Sequence, residues 1–228
     1  MINNSQRTEI IKNLINLGVK IPCPDGVCID ENVKINKGTM ILPGTIIMGE
    51  TRIGKDCVIG PDSYICDCII GDNTKLNNTQ SFNSEIGSNV TAGPFVHIRP
   101  NCKIADNVHI GNFVEIKNST VDEGSKLPHL LYVGDSDVGK NVNFGCGCVT
   151  VNYDGKNKYR TIVKDGAFLG CNTNLVAPVT VGENAFTAAG STITENVPDN
   201  SLAVARSKQT IKENWVNIKK PYKRQHGD

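Results

Sequence analysis

Aliphatic side chains recur at every sixth position along this chain: Ile29, Ile35, Ile41, Ile47, Ile53, Ile59 and Ile65 form an unbroken row. The row slips in register, resumes through Ile86, Ala92, Ile98, Ile104, Ile110 and Ile116, slips again, and finishes as Val163, Leu169, Leu175, Val181, Thr187 and Ile193. A small residue often stands two positions earlier, as in Val33, Thr39, Thr45, Thr51, Cys57 and Ser63. A period of six fits neither an amphipathic helix nor a simple alternating strand. It fits short strands joined by tight turns around a triangular prism, in which three hexapeptides close one coil of about 18 residues. Stacked coils then lie about 4.8 Å apart, with the aliphatic row inside and the alternate residues on three flat faces.

The ends depart from the period. Ile10, Ile11, Leu14 and Leu17 follow helical spacing, and Gly18 stands where a helix would be capped, so residues 1–20 read as an N-terminal helical segment. Residues 21–206 read as the β-helix. Residues 207–228 read as a second helix, from Ser207 through Gln209, Ile211, Trp215 and Ile218, with a solvated tail bearing Lys219, Lys220, Lys223 and Arg224. One polar stretch, Asn152-Tyr-Asp-Gly-Lys-Asn-Lys-Tyr-Arg-Thr161, breaks the rhythm and predicts an excursion loop. Such insertions commonly build the functional side of a solenoid.

Charge and composition narrow the function. With 24 basic and 23 acidic residues in 228, the net charge of +1 offers no field for a nucleic acid or a membrane surface. No apolar run reaches the roughly 18 residues that span a bilayer, and no signal-peptide pattern opens the chain, so a cytoplasmic protein is expected. The nine cysteines include no C-x-x-C; the closest pairs, Cys66/Cys68 and Cys146/Cys148, stand in C-x-C spacing that does not favour a bridge. Reduced thiols, many serving as small core residues, are expected, with zinc binding as the alternative.

Spacing also singles out chemistry. Arg99 and Lys117 are 18 residues apart, one coil, and each directly follows a ladder residue. They should stack on one outward edge, either as an anion site or as two solvated cations, with Glu115 near enough to neutralise part of the charge. His97 and His109 fall on different faces and His226 in the tail, so no three histidines converge in one chain. His129 sits where the period slips by a residue, which places its ring at an irregular corner.

The stretch from Arg99 to Arg206 carries a more specific set: Arg99-Pro100, Gly111-Asn-Phe-Val-Glu-Ile-Lys117, His129-Leu-Leu-Tyr-Val-Gly-Asp135, Asn141-Val-Asn143, Asn152-Tyr-Asp-Gly155 with Lys158, Asn174-Leu-Val-Ala-Pro-Val-Thr180 and Ala188-Ala-Gly190. It resembles the acetyltransferase domain of the bifunctional bacterial enzyme that makes UDP-N-acetylglucosamine from glucosamine-1-phosphate. That resemblance implies an all-β, left-handed parallel β-helix with short terminal helices, and a cytoplasmic homotrimer whose active sites are shared between chains. It implies acetyl-CoA as co-substrate, a phosphorylated amino sugar as acceptor and no metal for acetyl transfer. Position by position, His129 matches the catalytic base, and Arg99, Lys117 and Lys158 match sugar-phosphate contacts. Tyr132 and Asn143 match sugar-positioning residues, while Cys146, Asn152, Tyr153, Cys171, Ala189 and Arg206 match acetyl-CoA contacts, with sugar positioning as the alternative for Asn152. An attacking amine must lose a proton, and imidazole, titrating at about pH 6.5, is suited to take it.

Two departures stand out. Nothing resembles a Gly-rich nucleotide loop followed by a doubly wound fold, so uridylyl transfer is not expected, and a methionine followed by a helix fits a free-standing relative. Cys146 and Cys171 occupy positions where many relatives carry alanine and serine, and alkylation of an exposed thiol there should block the CoA groove. The rival readings are a hexapeptide acyltransferase with another acceptor, such as a nucleotide-linked amino sugar; a carbonic-anhydrase-like metalloenzyme using His97 and His109 across subunits; and a non-catalytic scaffold.

Overall fold

The computed structural model describes residues 4–219, and these form a parallel β-solenoid preceded by one helix. The N-terminal helix spans Asn4–Asn16 and buries Ile11 and Leu14. It ends in a Schellman turn: Val19 N–H reaches the Leu14 carbonyl at 3.0 Å and Gly18 N–H reaches Ile15 at 2.9 Å, with Gly18 at φ +89°. The buried pair Leu14 and Val19 brackets that turn, so the helix lies as a lid on the first coils. The C-terminal helix is shorter than the spacing predicts. Among the described residues it covers Trp215–Lys219, and residues 207–212 are irregular and exposed; Ile211, Trp215 and Ile218 are exposed as well, so no packed apolar face extends the helix back to Ser207. Lys220, Lys223, Arg224 and His226 lie outside the described residues.

Every strand pairing in the solenoid is parallel, and the pairing follows three columns. On the first face Tyr64, Gln80, His97, Glu115, Tyr132, Val149, Asn174 and Thr192 stand in register on successive coils. On the second, Thr91, His109, Lys126, Asn143, Phe168, Phe186 and Leu202 do the same. The third carries Glu85, Lys103, Thr120, Asp137, Ile162 and Thr180. Two nine-residue strands, His109–Lys117 and Lys126–Gly134, round the corner between the second and first faces without a break. They join those faces into one 18-stranded sheet, while the third face is a separate sheet of nine strands.

The residues of all three aliphatic rows are buried. The register slips arise at five-residue rungs, Ile65 to Ile70, Leu76 to Ser81, Ser81 to Ile86, Ile116 to Val121 and Val133 to Val138, in which a turn is one residue shorter and the inward position is kept. The small residues two positions earlier are buried as well, and their hydroxyls serve the corners. Thr39 Oγ1 accepts from Cys57 N–H at 3.0 Å and donates to the Gly54 carbonyl at 2.8 Å, closing backbone groups that no strand partner reaches. All nine cysteines are free; Cys57, Cys68, Cys102 and Cys148 are buried as small core residues, and Cys171 is exposed.

Candidate active site

The corner between the second and first faces carries the first group of expected residues. Asn112 pairs with His129, the Gly147 N–H bonds the Leu130 carbonyl at 3.1 Å, Asn172 N–H bonds Cys146 at 2.7 Å, and Gly190 N–H bonds Cys171 at 2.8 Å. His129, Cys146, Cys171 and Ala189 therefore occupy equivalent edge positions on four successive coils. Arg206 lies on the next coil, its Cδ 3.8 Å from where a side chain on Gly190 would begin. His129 is exposed, and the slipped period shows as a left-handed corner, Leu130 at φ +54°. At the same corner position of the two preceding coils, Phe95 and Phe113 also adopt positive φ and stack at 5.2 Å. Bulky residues in this conformation carry strain of order 1 kcal/mol each.

At the opposite edge of the first face stand the cations. The Arg99 N–H bonds the Ile116 carbonyl at 2.8 Å, so Arg99 and Lys117 do share one edge on adjacent coils. Each has its own carboxylate. Glu115 pairs with Arg99, Oε1 to Nη1 at 2.9 Å, and so offsets one of the two charges at this edge. Lys117 Nζ instead lies 3.8 Å from Oδ2 of Asp135. Burial pushes the Asp135 carboxyl up, but Asn118, Asn152, Lys117 and Lys158 together outweigh it and hold the pKa below the usual carboxylate value.

The excursion leaves the ladder after Val149–Val151 and returns at Thr161–Val163. It folds as a small hairpin. Tyr153 and Lys158 form an antiparallel bridge, and Asp154 Oδ1 accepts from the N–H groups of Lys156 and Asn157 at 2.7 and 2.6 Å. Its entry is tied by Asn152, whose side-chain amide donates to Asp135. Its exit is tied by Arg160, which donates to both oxygens of Asp137, to the Ser136 carbonyl at 3.0 Å and to the Asn118 carbonyl at 3.2 Å. Lys158 is thereby delivered beside Lys117, whose ammonium pulls the Lys158 pKa below the ordinary lysine value.

One chain thus brings Arg99, Lys117, Asn152 and Lys158 together, and sets His129, Cys146, Cys171, Ala189 and Arg206 along one edge. It does not bring the two groups into contact: His129 stands at the corner between the second and first faces, and the position level with Lys117 lies at the opposite edge of the first face. Tyr132 lies between them on the first face, while Asn143 points from the second face. Tyr153 is exposed on the hairpin, its hydroxyl bonded to the Gly155 carbonyl. His97 and His109 stand in different columns, and among the described residues no three metal-ligating side chains gather. Sequence reasoning missed Asn118, Asp135, Asp137 and Arg160. The signal was available: Asn118, Asp135 and Asn152 are spaced by 17 residues, one coil containing a five-residue rung.

A family model described as bacterial transferase hexapeptide (six repeats) matches residues 32–67 and 83–118. Bifunctional protein GlmU of Geobacillus sp. (strain WCH70) is 57% identical over 206 residues, which is 90% of this chain and 45% of that protein. The same-named protein of Clostridioides difficile (strain 630) is 50% identical over 220 residues, 94% of this chain and 48% of that one. The chain is a hexapeptide-repeat relative of GlmU. It spans about half the length of these curated relatives. Among solved structures, Arabidopsis UDP-N-acetylglucosamine acyltransferase aligns with a TM-score of 0.55 at 15% identity, over 82% of this chain and 70% of that one, a likeness of fold. No helix among the described residues is long and apolar enough to cross a membrane.

Proposed function

We propose that this chain is an N-acetyltransferase that moves the acetyl group of acetyl-CoA to the amine of glucosamine-1-phosphate, as a step in supplying UDP-N-acetylglucosamine. The observation that carries this reading is the edge row: the residue matched to the catalytic base, His129, stands at the head of three residues matched to acetyl-CoA contacts, one per coil. Acetyl-CoA would lie along that edge against Cys146, Cys171 and Ala189, with Arg206 and the hairpin residue Tyr153 at its periphery. His129 takes the proton of the attacking amine as nitrogen bonds the thioester carbon. Collapse of the tetrahedral intermediate expels the CoA thiolate, which His129 can reprotonate.

Arg99, Lys117 and Lys158 hold the phosphate, and Tyr132, Asn143 and Asn152 position the sugar. The separation of the two groups to opposite edges of the first face favours sites completed by a second chain, and we place the protein as a cytoplasmic homotrimer with its active sites between protomers. The chain's own residues supply base, charge and positioning, and acetyl transfer by this route calls for no metal.

The test is thiol release from acetyl-CoA with glucosamine-1-phosphate, glucosamine and UDP-glucosamine as acceptors, beside a His129→Ala control. Turnover confined to glucosamine-1-phosphate, lost by more than about 100-fold in the variant, is the expected result. Turnover with UDP-glucosamine alone would move the assignment to a nucleotide-linked acceptor. A folded trimer inactive on all three sinks the acetyltransferase reading.

A further inference from the structure

We infer that Asp135, a residue outside the matched contacts, is a positioning residue that lets Lys117 and Lys158 stand side by side as charged ammoniums, a two-point cradle for the acceptor's phosphate. The inference rests on the phosphate-site reading above.

The geometry is specific. Asp135 occupies the corner between the first and third faces, buried to 5% exposure. Asn118 on the coil before donates its side-chain amide to Oδ1 at 2.5 Å, and Asn152 on the coil after donates to Oδ2. Two amides thus take one lone pair on each carboxylate oxygen and fix its plane. Lys117 Nζ, at 3.8 Å, is in ion-pair range yet beyond a close hydrogen bond. The carboxylate therefore offsets the lysine charge without occupying its N–H donors, which stay available to a ligand.

Two ammoniums in contact repel, and that repulsion is relieved by releasing a proton or by admitting a negative charge. Around this pair the charged and titratable groups are Asp135, Tyr132, Arg160 from the hairpin's exit with its partner Asp137, and Arg99 on the coil before with its partner Glu115; each arginine is matched by its own carboxylate, which leaves Asp135 as the counter-charge of the lysine pair. Asp135 and Tyr132 both pull Lys158 back towards its charged form. With Asp135 ionised, the two ammoniums and the carboxylate sum to one positive charge, so Lys158 is held towards its charged form and the cluster still attracts a phosphate. With the carboxylate gone, Lys158 sheds its proton at a lower pH. Lysine is charged below its pKa, so phosphate binding is present at low pH and fades as pH rises through that value. Removing Asp135 moves the fading to lower pH.

The experiment is steady-state kinetics of the full chain between pH 6.5 and 9.5 for wild type, Asp135→Asn and Lys158→Gln, varying glucosamine-1-phosphate and acetyl-CoA separately. Asparagine keeps the shape and the bond from one amide and deletes the charge. The expected result is that Asp135→Asn raises the KM for glucosamine-1-phosphate severalfold at the alkaline end and leaves it near the wild-type value at pH 6.5. Its kcat and its KM for acetyl-CoA should stay within about twofold of wild type, the scatter common to neutral changes. In Lys158→Gln the KM should be high at every pH and the alkaline rise should vanish. The second variant keeps the inference exposed to failure even where Asp135→Asn does not fold. An Asp135→Asn enzyme with the wild-type pH profile overturns it, as does a uniform loss in kcat and both KM values. An alkaline rise that survives in Lys158→Gln overturns it too. Absence of wild-type turnover with glucosamine-1-phosphate is a separate result, which removes the underlying reading itself.

Discussion

The ring of Tyr132 lies back along its own strand over Gly134, so close that a Cβ on Gly134 would stand 2.4 Å from the tyrosine hydroxyl. Gly134 is also level with Lys117 on the coil before. A bare backbone at this point lets an aromatic ring and a lysine share the space above one strand. Gly134→Ala is expected to swing Tyr132 out and to cost about 1–3 kcal/mol in unfolding free energy by overpacking. The acceptor KM should rise while the KM for acetyl-CoA stays level. Denaturant unfolding and the two KM values check this, and an alanine variant with wild-type acceptor KM refutes the role of the ring.

Arg160 is the outgoing clamp of the hairpin that carries Lys158. Arg160→Met keeps the length of the side chain and removes its donors to Asp137, Ser136 and Asn118. Because the ion pair is partly exposed, the global stability should change little. The effect should be local: faster amide exchange across residues 153–160 and an acceptor KM raised roughly tenfold, about 1.4 kcal/mol of lost positioning. Hydrogen exchange by mass spectrometry together with kinetics reads both. Unchanged exchange in the hairpin would show that Asn152 alone holds it.

Cys171 is the exposed thiol of the edge row, whereas burial shields Cys57, Cys68, Cys102 and Cys148. Burial pushes the Cys148 thiol up to about 11, and burial together with the neighbouring Asp67 does the same for Cys66. Iodoacetamide at pH 8 should therefore modify Cys171 ahead of these five, since the thiolate is the reactive form. Modification should abolish turnover, acetyl-CoA should slow it, and Cys171→Ser should be active and insensitive. Peptide mass mapping alongside residual activity checks it; full activity after stoichiometric labelling at Cys171 would separate the edge from the CoA path.

Phe144 is among the largest fully buried side chains and sits on the coil that presents Asn143 and Cys146. Phe144→Ala should cost about 3–5 kcal/mol. In a solenoid each coil touches its neighbours only, so the loss of amide protection should centre on that coil and fade along the stack. Uniform loss of protection from end to end would show that the prism unfolds as one unit.

How far these features were legible in the chain depends on which force set them. The rows ending at Ile65, Ile116 and Ile193 were readable because burial demands an apolar side chain at every inward position. The five-residue rungs hid themselves, since Ser81, wholly buried, is polar and breaks the count. Among the described residues the C-terminal helix begins at Trp215 and not at Ser207, because helical spacing is a local signal and Ile211 stays exposed instead of packing. Asp135 follows a glycine, and no local signal separates it from an ordinary turn residue. Its neighbours Asn118 and Asn152 are remote in sequence, and their meeting becomes visible only once the exact length of a coil is known. His129 could be placed at an irregular corner from the slip alone, although its resemblance to a base came from the motif around it.

The fixed pitch of the stack makes the edge that begins at His129 a ruler. Its graduations are hydrogen-bonded rungs about 4.8 Å apart, and the step from His129 to Ala189 counts three of them. A ligand gripped at the far end reaches the imidazole only when its extended length agrees with a whole number of graduations. Deleting or inserting one complete coil between Cys146 and Ala189 would leave core, corners and faces in register and change the reach by one mark. Length selectivity in such a molecule is thus written in the number of turns, and evolution can reset it without redesigning a single contact.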